Sequence, residues 1–341
     1  MVQAVLALAT TLLAIASQHK HKRSSFYDRN LNTVQAIYDL TVFPKEEQRR
    51  SKEANDKRKD NIPIRTNGSS AVPAGLFAAT ASGRVTPLGN FSGFEDSIEY
   101  FFALAPVPLP PLYGVFKGAP VVEFTSGCPE VAASVVYLEQ YVLNDTLATN
   151  GQYINSLKQI AFWRFDDMGA VIAYDAWIRN LNLWTALTFG YSEDLFSYPQ
   201  VQAAGIAGLC GAVQERCVGA NQQYPKSVPI PLSEEHFGVS TCIETLSAKS
   251  YGSYDETWGD NVVCRAVHAQ LTPLRPEVHC PHVGPTGGAK CAAESYDDAY
   301  FASDQRLFGA PQGQTFACPC EEDEDEYEYE DEDEGECEDE D

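Results

Sequence analysis

Large apolar residues fall in two short runs on either side of Asp166-Asp167-Met168-Gly169. The first is Ile160 to Phe165 (IAFWRF) and the second is Val171 to Ile178 (VIAYDAWI). Aromatic and β-branched runs about a turn that ends in Gly predict a β-hairpin. Side chains alternate across a strand, so parity sorts these residues into two faces. Val171, Ala173, Asp175 and Trp177 share one face, and Ile172, Tyr174, Ala176 and Ile178 the other. On the first strand, Trp163 and Phe165 lie opposite Phe162 and Arg164.

The pattern before the hairpin is first helical, then extended. Asn30 to Val42 (NLNTVQAIYDLTV) brings Val34, Ile37 and Leu40 near one helical face. Asn90 to Leu104 (NFSGFEDSIEYFFAL) predicts a loop feeding a second helix, with Phe94, Ile98, Phe101 and Phe102 inward. The prolines from Pro106 to Pro111 end it. Strands are expected at Tyr113 to Phe116, Val121 to Phe124 and Ala132 to Val142. Two helices followed by antiparallel strands predict an α+β fold in which a curved antiparallel sheet wraps helices. Lys45 to Asp60 has mixed charge and no apolar period, so residues 45–60 read as a solvated insert.

Downstream the character changes. Asp194 to Val218 holds an Ala/Gly-rich helical stretch, and Cys242 to Ser247 a short one. Asp260 to Leu271 has Val263, Val267 and Leu271 at helical spacing behind a candidate N-cap, Asp260. Pro225 to Ser240 and Pro273 to Gly288 read as loops. The expected layout is a signal peptide at 1–17, a polar leader at 18–31 and the α+β domain at 32–190. A Cys-rich helical extension follows at 191–316, then an acidic disordered tail at 317–341.

Composition sets the compartment. Val5 to Ile15 is an apolar run of signal-peptide length, with small residues at the cleavage positions near Ser17. The run is too short to span a bilayer comfortably, so stable membrane insertion is not expected. The expected location is secreted and extracellular. Ten Cys fit an oxidising compartment, where most should pair. Seven lie in the body, so one is free or reaches Cys318 or Cys320. Asn67, Asn90 and Asn144 sit in N-x-S/T sites, as expected of a secreted glycoprotein. The net charge of −24 is concentrated in the tail, where 17 of the 21 residues from Glu321 on are acidic. The rest is only moderately acidic, and no basic stripe suggests nucleic acid as a partner.

The helix-helix-strands order, closed by WRFDDMGAVIAYDAW, resembles the SnoaL-like families of the nuclear-transport-factor-like superfamily. The likeness covers roughly Asn32 to Trp184. The whole chain, including VHCPHVGPTGG, also resembles a group of secreted fungal proteins without an assigned activity. The superfamily resemblance implies a strongly bent sheet forming a cone-shaped pocket. It hosts cyclases, dehydratases and isomerases, and also many non-catalytic binders.

If the face with Asp175 lines the cone, desolvation raises that carboxyl toward a useful base. Proton abstraction beside a carbonyl is the chemistry such a site would do. Tyr174 and Tyr100 are the companion candidates for catalysis, and Trp163, Phe165, Trp177 and Phe102 the candidates for ligand binding. Tyr38 and Glu95 could add polar groups from the helices. The structural alternative for Asp175 is an ion pair with Arg164 or exposure to water. No His occurs from Ser25 to Glu235, which argues against a His-based dehydratase mechanism in the cone. Cys264, His268, His279 and His282 form a second cluster of zinc- or copper-ligand types. Its spacing matches no zinc signature, and in a secreted chain its Cys are expected in disulfides, so no metal and no cofactor are expected.

The combined expectation is a secreted protein whose cone binds a small apolar ligand or a secreted protein partner without catalysis. A homodimer is compatible with it. The competing reading is a cyclase, dehydratase or isomerase of a small apolar molecule, with Asp175 as acid/base.

Overall fold

The computed structural model describes residues 25–43, 68–108, 112–224, 234–295, 297 and 304–319, without the side chains of 234–240. The expected signal peptide, the insert at 45–60, Asn67, Cys320, Cys337 and the acidic run from Glu321 lie outside the described residues.

The first helix, α1, spans Ser25–Asp39 and buries Val34, Ile37 and Tyr38. It begins earlier than the apolar spacing suggests. Its first turn is held by polar contacts instead: Tyr27 Oη donates to the carbonyl of Phe124 at 3.2 Å. Arg29 donates to the carbonyls of Pro129 at 2.7 Å and Asp167 at 2.9 Å. Strands β1 (Phe77–Thr86) and β2 (Gly89–Phe91) follow. Helix α2 (Phe94–Ile98) continues as a wide turn through Glu99–Ala103 that carries Phe101 and Phe102 into the core.

Strands β3 (Gly114–Gly118), β4 (Val121–Cys128), β5 (Val131–Val142), β6 (Tyr153–Phe165) and β7 (Val171–Ile178) complete the sheet. Its order is β2-β1-β7-β6-β5-β3, with β4 also paired to β5. The predicted hairpin is present, with Trp163 opposite Tyr174 and Phe162 opposite Asp175. The Asp166 carboxylate accepts from the backbone N–H groups of Met168 and Ala170 and so sets the turn. One expectation is corrected: the sheet is mixed, because β1 runs parallel to β7. The segment FAATASGRVT was not predicted as a strand. Its small residues give no apolar alternation, and they are small for a reason. A Cβ on Gly83 would meet the Tyr174 ring at 2.1 Å.

One face of the sheet forms the main core with α1 and α2. Trp163 and Phe165 are 0% and 1% exposed there. Trp163 stacks on Phe101 at 5.7 Å and donates to Ser134 Oγ at 2.8 Å. The opposite face is crossed by residues 304–319. Arg164 donates to the Thr315 carbonyl at 2.6 Å, Phe162 packs on Phe316 at 6.0 Å, and Cys128 is joined to Cys318. The odd Cys of the body is thereby paired.

The second half is helical: α3 (Leu181–Thr188), α4 (Pro199–Arg216), α5 (Glu234–Ser247), α6 (Val262–Ala269), α7 (Pro276–Val283) and α8 (Asp304–Phe308). Disulfides Cys210–Cys242, Cys217–Cys280 and Cys264–Cys291 staple it around a second core that includes Leu209, Val213, Leu246 and Val283. Three boundaries differ from expectation. Helix α5 begins at Glu234, inside the expected loop. The cap of α6 is Asn261, whose side chain accepts from Cys264 N at 2.7 Å, while Asp260 pairs with Arg265 and Lys249. Helix α7 lies in the expected Pro/Gly loop. Pro276 opens it, where a missing N–H costs nothing. Among the described residues, no helix is long and apolar enough to cross a membrane.

Candidate functional site

A cavity of about 550 Å³ opens where α1, α2 and α3 meet the concave side of the sheet. Its wall is largely aromatic and aliphatic, with Phe101, Phe116 and Trp184 prominent. Three side-chain donors in this wall are buried and have no hydrogen-bond partner: Tyr38 Oη, Gln140 Nε2 and Trp184 Nε1. Each is held in place by a neighbouring side chain. Gln140 is at the end of β5, where its carbonyl oxygen accepts from Thr188 Oγ1 at 2.9 Å. Trp184, on α3, packs on Phe116 at 6.0 Å. Tyr38, on the last turn of α1, meets Trp163 edge-on at 6.0 Å. Burial pushes the Tyr38 phenol well above its usual range, so it remains a neutral donor.

Of the residues singled out in the sequence, Tyr38 lines this cavity and so does Tyr100. Its oxygen accepts from Gln159 Nε2 at 2.9 Å, and burial pushes its pKa up. Tyr174 lies on the same side of the sheet but is fully buried, with its hydroxyl donating to Ser97 Oγ at 3.1 Å. Trp163, Phe165 and Phe102 are buried in the main core and do not line the cavity. Trp177 is on the far face, packed against Phe162 at 5.9 Å.

Asp175 is also on the far face. Strand register places it beside Arg84 and Phe162, and its carboxylate pairs with Arg84 at 2.5 Å. The partner is Arg84 rather than Arg164. The Arg84 guanidinium also reaches Asp304 at 3.4 Å, under the segment that crosses this face. Burial pushes the Asp175 carboxyl up, and the hydrogen bond from Arg84 opposes that shift. The sheet itself stands between this carboxylate and the cone.

A second cavity, of about 420 Å³, lies between the β1–β2 hairpin and the stapled helices. His268 on α6 and His279 and His282 on α7 form part of its wall. His268 Nδ1 and His282 Nδ1 are 3.2 Å apart. His279 Nε2 meets Glu99 Oε2 at 2.9 Å. Arg275 clamps the same carboxylate, with Nε on Oε1 at 2.6 Å and Nη2 on Oε2 at 2.5 Å, and also reaches Asp96 at 2.7 Å. Burial works against the Glu99 carboxylate, but the bonds from His279 and Arg275 outweigh it and hold it below its usual range. Burial likewise lowers His268 well below its usual value and His282 to about 4. The fourth member of the expected cluster, Cys264, is in a disulfide with Cys291 and has no thiolate to offer.

Sequence reasoning missed Glu99, although a lone carboxylate among Ile98, Tyr100, Phe101 and Phe102 was a signal. It also missed Arg84 and Gln140. Neither stands in a motif, and their roles arise from strand pairing.

The fold and its cavities define an α+β protein with a curved sheet able to enclose a small molecule, joined to a disulfide-stapled helical half. Residues 197–294, which hold the three histidines and three of the disulfides, match the family model described as the BfoA family C-terminal domain. The chain is 27% identical over 248 residues to "Aurasperone B biosynthesis cluster protein A" of Aspergillus niger, covering 70% of this chain and 74% of that one. It is 28% identical over 258 residues to "Bifonsecin B biosynthesis cluster protein A" of Aspergillus brasiliensis, covering 70% and 76%. The expected likeness to fungal proteins is therefore found. Similar solved structures include a proposed SnoaL-like polyketide cyclase from Jannaschia, at 15% identity and TM-score 0.28, covering 49% of this chain and 97% of that one. A steroid delta-isomerase from Pseudomonas aeruginosa matches at 14% identity and TM-score 0.25, covering 48% and 89%. The resemblance to SnoaL-like proteins is thus found among solved structures, at a similarity that says nothing of chemistry in this chain.

Proposed function

We propose that this protein binds a small, flat, apolar molecule bearing acceptor oxygens in the cone cavity, and that it does so without converting it. The observation that carries the reading is the set of three unused donors, Tyr38 Oη, Gln140 Nε2 and Trp184 Nε1, in an otherwise apolar wall. A buried donor without a partner is costly, and a ligand carbonyl or hydroxyl oxygen relieves that cost. An aromatic ligand would stack within the same wall. Among the described residues, the ionisable groups lining the cavity are tyrosines and Arg216. Neither a carboxylate nor an imidazole is there to move a proton near neutral pH, which supports binding over acid/base turnover.

The relatives are named for biosynthesis clusters, and by analogy the ligand is a product or intermediate of small-molecule biosynthesis. Secretion belongs to the same proposal. Four disulfides and the apolar N-terminal run support an oxidising compartment, and Asn144 stands in an exposed loop as a glycan acceptor. Calorimetric titration of the disulfide-intact protein with a hydroxylated naphthoquinone tests the reading. Saturable one-to-one binding supports it. Absence of binding across a panel of oxygenated bicyclic and tricyclic aromatics, or turnover of any of them, overturns it.

A further inference from the structure

Three of the six histidines in the chain converge on one point of the second cavity. One ring nitrogen from each of His268, His279 and His282 lies within 4.8 Å of the others. Three separate features of the geometry agree. First, His268 Nδ1 and His282 Nδ1 face each other at 3.2 Å. Two imidazole nitrogens bound to one tetrahedral zinc at about 2.0–2.1 Å stand about 3.3 Å apart. Second, His279 is 4% exposed and its Nδ1 has no hydrogen-bond partner. A buried ring nitrogen without a partner calls for an occupant. Third, the remaining nitrogen of His279 is already held by Glu99 at 2.9 Å, and Glu99 is held in turn by Arg275. A carboxylate behind an imidazole is the usual support of a metal-binding histidine, because it fixes the ring and raises the basicity of the free nitrogen.

The frame is rigid enough to keep this arrangement. His268 is one turn from Cys264, which is joined to Cys291, and His279 is next to Cys280, which is joined to Cys217. Cys264 is the one that the sequence grouped with the histidines, and it is committed to a disulfide, as are the other three. Their role is to staple the helices that carry the rings.

We propose that His268, His279 and His282 bind one divalent ion of the zinc or copper type at the wall of the second cavity. Three imidazoles with a coordination position left to the cavity is the donor set of a site that takes a water or a small ligand as its fourth partner. The site is separate from the cone, although Leu88 lines both cavities. It does not depend on what the cone binds.

The test uses the full chain without an affinity tag, stripped with EDTA and titrated separately with Zn²⁺ and Cu²⁺. The expected result is one tight equivalent of either ion. That binding survives His19→Gln with His21→Gln in the leader and is lost in His279→Gln. X-ray absorption of the loaded wild-type protein gives an answer even where a variant does not fold. Three imidazole nitrogens around zinc or copper, with no sulfur, support the site. A shell of carboxylate oxygens, as from the acidic tail, overturns it. So does a stoichiometric site that His279→Gln leaves intact in a folded protein, or the absence of a tight equivalent of either ion.

Discussion

Arg84 and Asp175 occupy matched positions on neighbouring parallel strands and close a two-pronged ion pair, with Nη2 to Oδ2 at 2.5 Å and Nε to Oδ1 at 3.3 Å. The side chains are 12% and 7% exposed, so the pair is shut away from water on the face opposite the cone. This geometry separates two roles that parity alone left joined, a buried carboxylate and a catalytic one. Asp175→Asn is therefore expected to leave ligand affinity in the cone unchanged. It should lower stability, because removing one partner of a buried pair costs about 3–5 kcal/mol. Calorimetry and thermal unfolding of the same sample check both halves. Lost binding with an unchanged melting temperature would return Asp175 to the site.

Ligand affinity should hardly vary with pH. Burial raises the phenols of Tyr38, Tyr100 and Tyr174, so each remains a neutral donor beyond its ordinary pKa of about 10. Their proton is held more tightly in the fold than in water, so alkali reaches the free phenols of an unfolded chain first. Dissociation constants measured from about pH 5.5 to 9.5 with a non-ionising ligand are expected to agree within about twofold. A sigmoid centred on a carboxylate or imidazole pKa would place an acid or base in the cone.

The strap over the outer face is closed by one disulfide. Cys128–Cys318 closes a separation of 190 residues, the longest of the four disulfides. Loss of a native disulfide from a small secreted domain costs about 2–5 kcal/mol. In Cys128→Ser with Cys318→Ser, residues 304–319 should become cleavable by protease before the sheet does, with Arg84 and Asp175 exposed to solvent. Peptide mapping after brief digestion reads the order. Cleavage beginning elsewhere would mean that Phe308, Phe316 and Arg164 hold the strap without the bond.

What was legible in the sequence follows the strength of each local signal. The hairpin at Phe165 and Val171 was plain, because aromatic alternation and a Gly-ended turn agree. The buried helices around Ile37 and Phe102 were also visible as apolar spacing. Strand β1 was not, because a strand facing Tyr174 through Gly83 must be small there and so carries no pattern of its own. The side of the sheet on which Asp175 lies was undetermined for the same reason. Parity says which residues agree with one another, and only packing says which set faces the core. The histidines were visible as types, but their meeting required two helices, one of them hidden in a Pro-rich run.

The three unused donors supply the sharpest test of the cone. Trp184→Phe keeps an aromatic ring against Phe116 and removes the N–H together with part of the indole, a loss of apolar surface that any ligand of the cavity would feel alike. Gln140→Leu keeps much of the side-chain bulk and removes the amide, and Thr188 Oγ1 keeps the Trp184 carbonyl as an acceptor at 3.0 Å. For a ligand whose carbonyl or hydroxyl oxygen meets these groups, each variant forfeits one hydrogen bond worth about 0.5–1.5 kcal/mol, or about two- to twelvefold in affinity. A deoxygenated analogue of the same ring system makes no such bond, so apart from that shared loss its affinity should hold or improve as a donor that burial leaves unmatched is removed. Measuring both ligands on both variants therefore separates polar recognition from simple apolar filling. Equal weakening of the two ligands would show that Trp184 and Gln140 only shape the wall, and that the cavity reads size rather than oxygens.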